Sequence, residues 1–176
     1  MTPLIDYIKQ KIANQETIKL NFICTHNSRR SHMAQIWAKA IATYLHLPID
    51  TYSGGTEATA FNPNAIAAMQ NAGFEISGDR QVHNPRYTIQ MGAGLPTFQT
   101  WSKVFSDPTN PTQAFAAIMT CSDADENCPY VPGAELRVAL TYEDPKAYDG
   151  SPQQASAYEA RAKQIGAELY YILSHA

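Results

Sequence analysis

Between Lys19 and Tyr44 the apolar residues change their period, and that change constrains the fold more than any other feature of the chain. In Lys19-Leu20-Asn21-Phe22-Ile23-Cys24, the residues Leu20, Phe22 and Cys24 alternate against Asn21, as expected of a β-strand. From Arg30 onward Met33, Ile36, Trp37, Ala40, Ile41 and Tyr44 recur at helical spacing. Only the polar run Thr25-His26-Asn27-Ser28-Arg29 lies between. A strand turning this tightly into a helix aims loop N–H groups and the positive end of the helix dipole at one point, an arrangement that binds anions. Asn27 suits a loop position with positive φ, and its amide can tie the loop together.

The rest of the chain repeats the strand-then-helix theme. Leu4, Ile5, Ile8 and Ile12 share one helical face, so a short amphipathic helix is expected to about Ala13. Thr51-Tyr52-Ser53 reads as a second strand broken by Gly54-Gly55, and Asn62-Pro63 caps a helix that Gly73 ends. The stretch from Ser77 to about Pro111 is rich in Gly, Pro, Asn and Ser and too long for a bare loop, so short elements are expected there, including a strand around Lys103-Val104-Phe105. Phe115–Thr120 and Leu136–Leu140 read as buried strands, and Gln153–Leu173 as a long closing helix. This alternation predicts an α/β three-layer sandwich around a mostly parallel sheet.

Length and charge narrow the function. The 176 residues suit one domain over 1–176, with the helix at about 3–14 as an extension. A formal net charge of −3 gives no broad electrostatic hold on nucleic acid or an anionic membrane, so an anion must be captured by a local site. No apolar run approaches the roughly 20 residues that span a bilayer. The N-terminus lacks the basic start and apolar core of a secretory signal, and a cytoplasmic location is expected. Three cysteines are too few, and odd in number, for a secreted disulfide framework. Met33 and Trp37 read as core residues, and His32, His46, His83 and His175 have no metal-ligand spacing, so neither metal nor cofactor is called for.

Three constellations carry chemistry. In the first, five residues separate Cys24 from Arg30, and Ser31 follows. A thiol at a helix N-terminus is favoured as thiolate, Arg30 can grip two oxygens of a tetrahedral anion, and Ser31 can donate to the sulfur. His26 and Arg29 lie in the same loop, where either can add charge to its mouth. In the second, Cys121-Ser122-Asp123-Ala124-Asp125-Glu126-Asn127-Cys128, six residues separate two cysteines in an acidic, polar run unsuited to a zinc knuckle. A mobile redox pair fits this segment, provided the intervening residues form or lose a turn. The third is Glu143-Asp144-Pro145 after the Leu136–Leu140 strand, where a carboxylic acid could protonate a leaving oxygen.

The run Cys24-Thr25-His26-Asn27-Ser28-Arg29-Arg30-Ser31 resembles the phosphate-binding loop of the low-molecular-weight protein tyrosine phosphatase superfamily, which includes thioredoxin-coupled arsenate reductases. Ser53-Gly54-Gly55-Thr56-Glu57, Asn62-Pro63 and Cys121-Ser122-Asp123-Ala124-Asp125-Glu126-Asn127-Cys128 resemble further motifs of the reductases, and Asp144-Pro145 resembles the superfamily's acid. The resemblance covers the chain from about Leu20 to Leu173. It implies Cys24 as nucleophile, Arg30 and the loop residues Thr25, His26, Asn27, Ser28, Arg29 and Ser31 around the oxyanion, and Asp144 as acid. It also implies a relay in which Cys121 attacks Cys24, then Cys128 attacks Cys121, and a thioredoxin-like reductant restores the thiols.

Two enzyme classes follow, with a third reading as a non-catalytic anion-binding or redox-sensing module. A reductase would turn arsenate into arsenite through all three cysteines. A phosphatase would hydrolyse phosphotyrosine through a phospho-cysteine, using Cys24, Arg30 and Asp144 alone. Two departures from the phosphatases favour the reductase: Lys146-Ala147 after Asp144-Pro145, where they commonly carry an aromatic, and His32 after Ser31, where they commonly carry proline.

Overall fold

Strand β1 (Ile18–Cys24) lies inside a four-stranded sheet of order β2-β1-β6-β7, with β2 (Ile49–Gly55), β6 (Phe115–Met119) and β7 (Ala134–Ala139) all parallel. The structure is a computed structural model that describes residues 1–79, 81–128 and 130–176; Arg80, in the Ser77–Pro111 stretch, and Pro129 lie outside the described residues.

Side-chain alternation assigns the two faces of the sheet. Leu20 and Phe22 of β1 with Ala116 and Ile118 of β6 point into the larger core, shared with α1 (Thr2–Ala13), α2 (Arg30–Tyr44), α3 (Pro63–Asn71) and α5 (Gln154–Ser174). Ile23, Ala117 and Met119 point the other way, into a second cluster completed by α4 (Ser122–Asn127), Val131 and Phe105. The α/β layered expectation therefore holds, with a mostly parallel sheet flanked by helices. Helix α3 forms for local reasons visible in sequence. Asn62 accepts from the backbone N–H of Asn64 and Ala65, Pro63 opens α3, and Gly73 at φ +104° releases the chain afterwards.

Three expectations need correction. The strand expected as buried over Leu136–Leu140 is the edge strand β7, Ala134–Ala139, whose residues are half-buried or exposed. Gly54-Gly55 do not break β2, because pairing with β1 runs without interruption to Cys24 against Gly55. A Cβ on Gly54 would stand 2.3 Å from the Phe105 Cα, so this strand end is glycine to admit a neighbouring backbone. The residues around Lys103–Phe105 form no strand, only one parallel bridge between Gly55 and Val104. The short elements expected within Ser77–Pro111 are instead β4 (Tyr87–Gln90) and β5 (Thr97–Thr100), which with β3 (Glu75–Ser77), not expected from sequence, form a separate antiparallel sheet. Ile76 and Ile89 bury this sheet's inner face in the larger core.

Helix α1 is seated by Leu4 and Ile8 in that core and by Lys11, whose ammonium pairs with Glu16 and, at 2.8 Å, with Glu135 on β7.

Candidate active site

The loop of residues 25–29 joins the C-terminal end of β1 to α2, the place where parallel α/β sheets collect ligands. Its backbone is held from outside, leaving its N–H groups free. Thr56 and Glu57 donate to the carbonyls of Cys24 and Thr25, and Asn62 donates to Ser28. Among the described residues, the N–H groups of His26, Asn27, Ser28 and Arg29 donate to no protein acceptor. Such a set of uncommitted amides is an anion nest.

Asn27 organises the turn. It takes φ +43°, as its residue type allows, and is fully buried. Its side-chain oxygen accepts from the Lys103 N–H at 2.9 Å, and its amide donates to Ser31 Oγ at 2.8 Å. Because Asn27 supplies that proton, the Ser31 hydroxyl is free to donate to Cys24 Sγ, 3.0 Å away. Gly55 closes in from β2: a Cβ there would lie 2.6 Å from the Thr25 oxygen and 2.8 Å from the Asn27 nitrogen.

Arg30 opens α2 but its fork is already engaged. Nη1 donates to the Tyr142 carbonyl at 2.9 Å and Nη2 to Asp144 Oδ2 at 2.8 Å, while Nε is buried without a partner. Asp144 in turn caps the 3-10 turn Pro145–Tyr148 by accepting from the Lys146 N–H. The cleft lined by Cys24, His26, Ser28, Arg29, Arg30 and Asp144 has a volume of about 10 Å³, room for about one water.

The two loop residues flagged for extra charge both lie beside carboxylates. His26 Nδ1 lies against the Glu57 carboxylate. Arg29 is held at the side of the cleft it lines: Nε donates to Tyr158 Oη at 2.9 Å, Tyr158 donates to Asp149, and the guanidinium lies 3.8 Å from both Asp144 and Asp149. Arg29 therefore staples the loop to α5 and to the Asp144 segment.

Thr25 faces the other cysteines. Its hydroxyl donates to Asp123 Oδ2 at 2.6 Å and stands 3.5 Å from Cys121 Sγ. Cys121 is the N-cap of α4, its sulfur accepting from the Ala124 N–H, and Cys128 is the C-cap. Cys24, Cys121 and Cys128 are all free thiols buried in one cluster. Burial pushes the Cys128 thiol up from its ordinary pKa, and the Arg137 guanidinium works against that rise.

Several participants carry no sequence signal. Ser102 accepts from the Thr59 N–H and donates to the His26 carbonyl, so the segment after β5 braces the loop. Behind the loop, Gln35 accepts from Ser53 and Thr100, and His32 Nδ1 lies 3.0 Å from Thr100 Oγ1. Burial drives the His32 pKa down to about 3, with the charge of Lys103 adding to it. His32 is stacked on Phe61 at 4.3 Å between ring centroids.

The chain matches known proteins along most of its length. The family model for low molecular weight phosphotyrosine protein phosphatase matches residues 19–88. An arsenate reductase of Bacillus subtilis is 33% identical over 149 residues, spanning 84% of this chain and 89% of that one. An arsenate reductase 2 of Staphylococcus epidermidis is 35% identical over 124 residues, spanning 70% and 76%. In structure, a low molecular weight phosphotyrosine phosphatase from Vibrio cholerae superposes with a TM-score of 0.61 at 16% identity, covering 89% of this chain and 94% of that one. An arsenate reductase in a phosphate-binding state gives 0.58 at 20% identity, covering 90% and 99%. On this identity and coverage, the chain belongs to the arsenate reductase family, on the low molecular weight phosphotyrosine phosphatase fold.

Proposed function

We propose that this protein reduces arsenate to arsenite through a relay of Cys24, Cys121 and Cys128, with a thioredoxin-like dithiol protein in a reducing cytoplasm as its electron source. The observation that carries the reading is the burial of all three thiols in one cluster, with the Thr25 hydroxyl bridging the anion loop and Cys121.

Arsenate first displaces the Asp144 carboxylate from Arg30. The loop N–H groups and Arg30 Nε then hold the oxyanion, and the Cys24 thiolate attacks arsenic. Asp144, released beside the site as a carboxylate, takes up a proton from the bound hydrogen arsenate and hands it to the departing hydroxyl, which leaves as water. Cys121 next attacks the Cys24 sulfur. The S–S bond forms, the S–As bond breaks, and its electron pair stays on arsenic, which leaves as arsenite. Thr25 assists because its own proton goes to Asp123, so its oxygen accepts from the Cys121 thiol. Cys128 then attacks Cys121, expelling Cys24 as a thiolate and leaving a Cys121–Cys128 disulfide for the external reductant.

Phosphotyrosine hydrolysis would use Cys24, Arg30 and Asp144 with water as the resolving group. It is favoured by one observation, the half-exposed Tyr148 at the end of the Asp144 turn, available to an aromatic substrate. A side-by-side assay of arsenate-dependent thioredoxin oxidation and aryl-phosphate hydrolysis decides between them. The reductase reading expects the first to depend on Cys121 and Cys128. Aryl-phosphate turnover without any arsenate-dependent oxidation overturns it.

A further inference from the structure

Cys128 begins at the far end of α4 from its target. Cys121 and Cys128 cap opposite ends of α4. Seven steps at about 1.5 Å per residue separate helical Cα atoms by roughly 10 Å. A disulfide needs them within about 4.4–6.8 Å. The second exchange therefore requires α4 to come undone, and the contacts on its last turn control when.

Those contacts converge on one side chain from β7. Arg137 Nη2 donates to the Asp125 carbonyl at 2.6 Å and pairs with the Asp125 carboxylate at 2.7 Å. Its Nε donates to the Cys128 carbonyl at 3.1 Å. One guanidinium thus ties two carbonyls and a carboxylate of the last turn, a span that matches its planar fork. The opposite end of α4 is tied separately, by Thr25 to Asp123. The same Arg137 charge favours the Cys128 thiolate, the form that must attack.

We propose that Arg137 is the latch of the thiol relay, a positioning residue that keeps α4 wound and Cys128 out of reach of Cys121 until Cys121 is engaged by Cys24. This rests on the relay reading above. When the latch opens, Arg137 releases the Cys128 carbonyl and Asp125, and the Cys128 thiolate attacks the Cys121 sulfur. The Cys121–Cys128 bond forms, the Cys24–Cys121 bond breaks, and the electron pair leaves on Cys24. While it is closed, the latch prevents a passing disulfide from oxidising Cys121 and Cys128 before an oxyanion has been bound. In that side reaction the two thiols would lose two electrons and two protons, reducing the passing disulfide to two thiols.

The test uses the full-length Cys24→Ser protein, in which only Cys121 and Cys128 can pair internally, so the result does not depend on the oxyanion. Oxidised glutathione is the oxidant, and disulfide closure is followed by thiol trapping and mass mapping. Arg137→Lys keeps the charge but cannot span both carbonyls, and it is expected to speed closure roughly tenfold, the effect of losing about one charge-assisted hydrogen bond. Amide exchange should quicken in α4 and not in β1 or β6, which separates an opened latch from general destabilisation. Arg137→Gln should in addition shift the alkylation of Cys128 to higher pH than in the Lys variant. Closure at the parent's rate in Arg137→Lys, or exchange quickening equally in β1 and β6, overturns the latch and leaves the relay standing. Failure of Cys121 and Cys128 to pair in parent and variants alike overturns both.

Discussion

Asp144 and Arg30 are direct partners: Asp144 Oδ2 accepts from Arg30 Nη2 at 2.8 Å, while the adjoining Tyr142 carbonyl takes Nη1. In the proposed mechanism the acid and the anion-binding group are therefore mutual partners before substrate arrives, and binding exchanges one carboxylate for one oxyanion.

That exchange predicts opposite effects on binding and turnover in Asp144→Asn. Removing the competing charge should leave phosphate or arsenate binding equal to or tighter than in the parent. Removing the proton donor should slow turnover by about 10²-fold or more. Phosphate protection of Cys24 from alkylation reports the first, and single-turnover arsenate consumption the second. Weaker anion protection in this variant would contradict the exchange.

Arg30→Lys should be far more damaging than a conserved charge suggests. Lysine cannot hold the Tyr142 carbonyl while it exchanges Asp144 for an oxyanion, because it lacks the planar fork. A loss of roughly 10²-fold or more in turnover, with thermal stability little changed, is expected. Near-parental turnover would remove Arg30 from the mechanism.

Ser31→Ala tests the hydrogen bond to the nucleophile. The chain Asn27 to Ser31 to Cys24 delivers one hydroxyl proton to the sulfur. A bond to a charged partner contributes about 1.5–3 kcal/mol, so a fall in rate of roughly 10- to 100-fold is expected wherever Cys24 departs as thiolate. Rapid-quench measurement of Cys24–Cys121 disulfide decay locates the affected step.

The anion loop was legible because its signals are local. The change of period at Cys24, the Asn27 turn position and the spacing to Arg30 each depend on neighbours in sequence, and Asn27 indeed takes positive φ. What the sequence did not reveal depends on chain segments that meet only in the fold. Nothing near Arg30 announces that Tyr142 and Asp144 will hold its fork, and nothing near Asp125 announces Arg137. Arg29 reads as added charge in sequence, yet its partners Tyr158 and Asp149 lie on distant segments that turn it into a staple. Gly54-Gly55 were misread for the same reason: glycine usually weakens a strand, but here Phe105 and the anion loop approach too closely for any side chain.

The buried network behind the loop gives the stability a defined pH dependence. His32 is driven from its ordinary value of 6.5 down to about 3, chiefly by burial, so it stays neutral in the folded protein. In the unfolded chain it takes up a proton below its ordinary pKa. The unfolded state therefore binds more protons across that interval, and stability falls as pH drops from about 6.5 towards 3. The loss approaches about 1.4 kcal/mol per pH unit from this one group once pH lies well inside the interval. Urea denaturation at pH 7, 6 and 5 should show midpoints falling in that order, and the His32 ring resonances of the folded protein should not titrate over the same range. A substitution such as His32→Gln, which cannot ionise, should flatten that fall whatever it does to stability at pH 7. Titration of the His32 ring near pH 6.5 in the folded state would mean that water or an anion reaches it, and that the network behind the loop is open rather than sealed by Phe61 and Thr100.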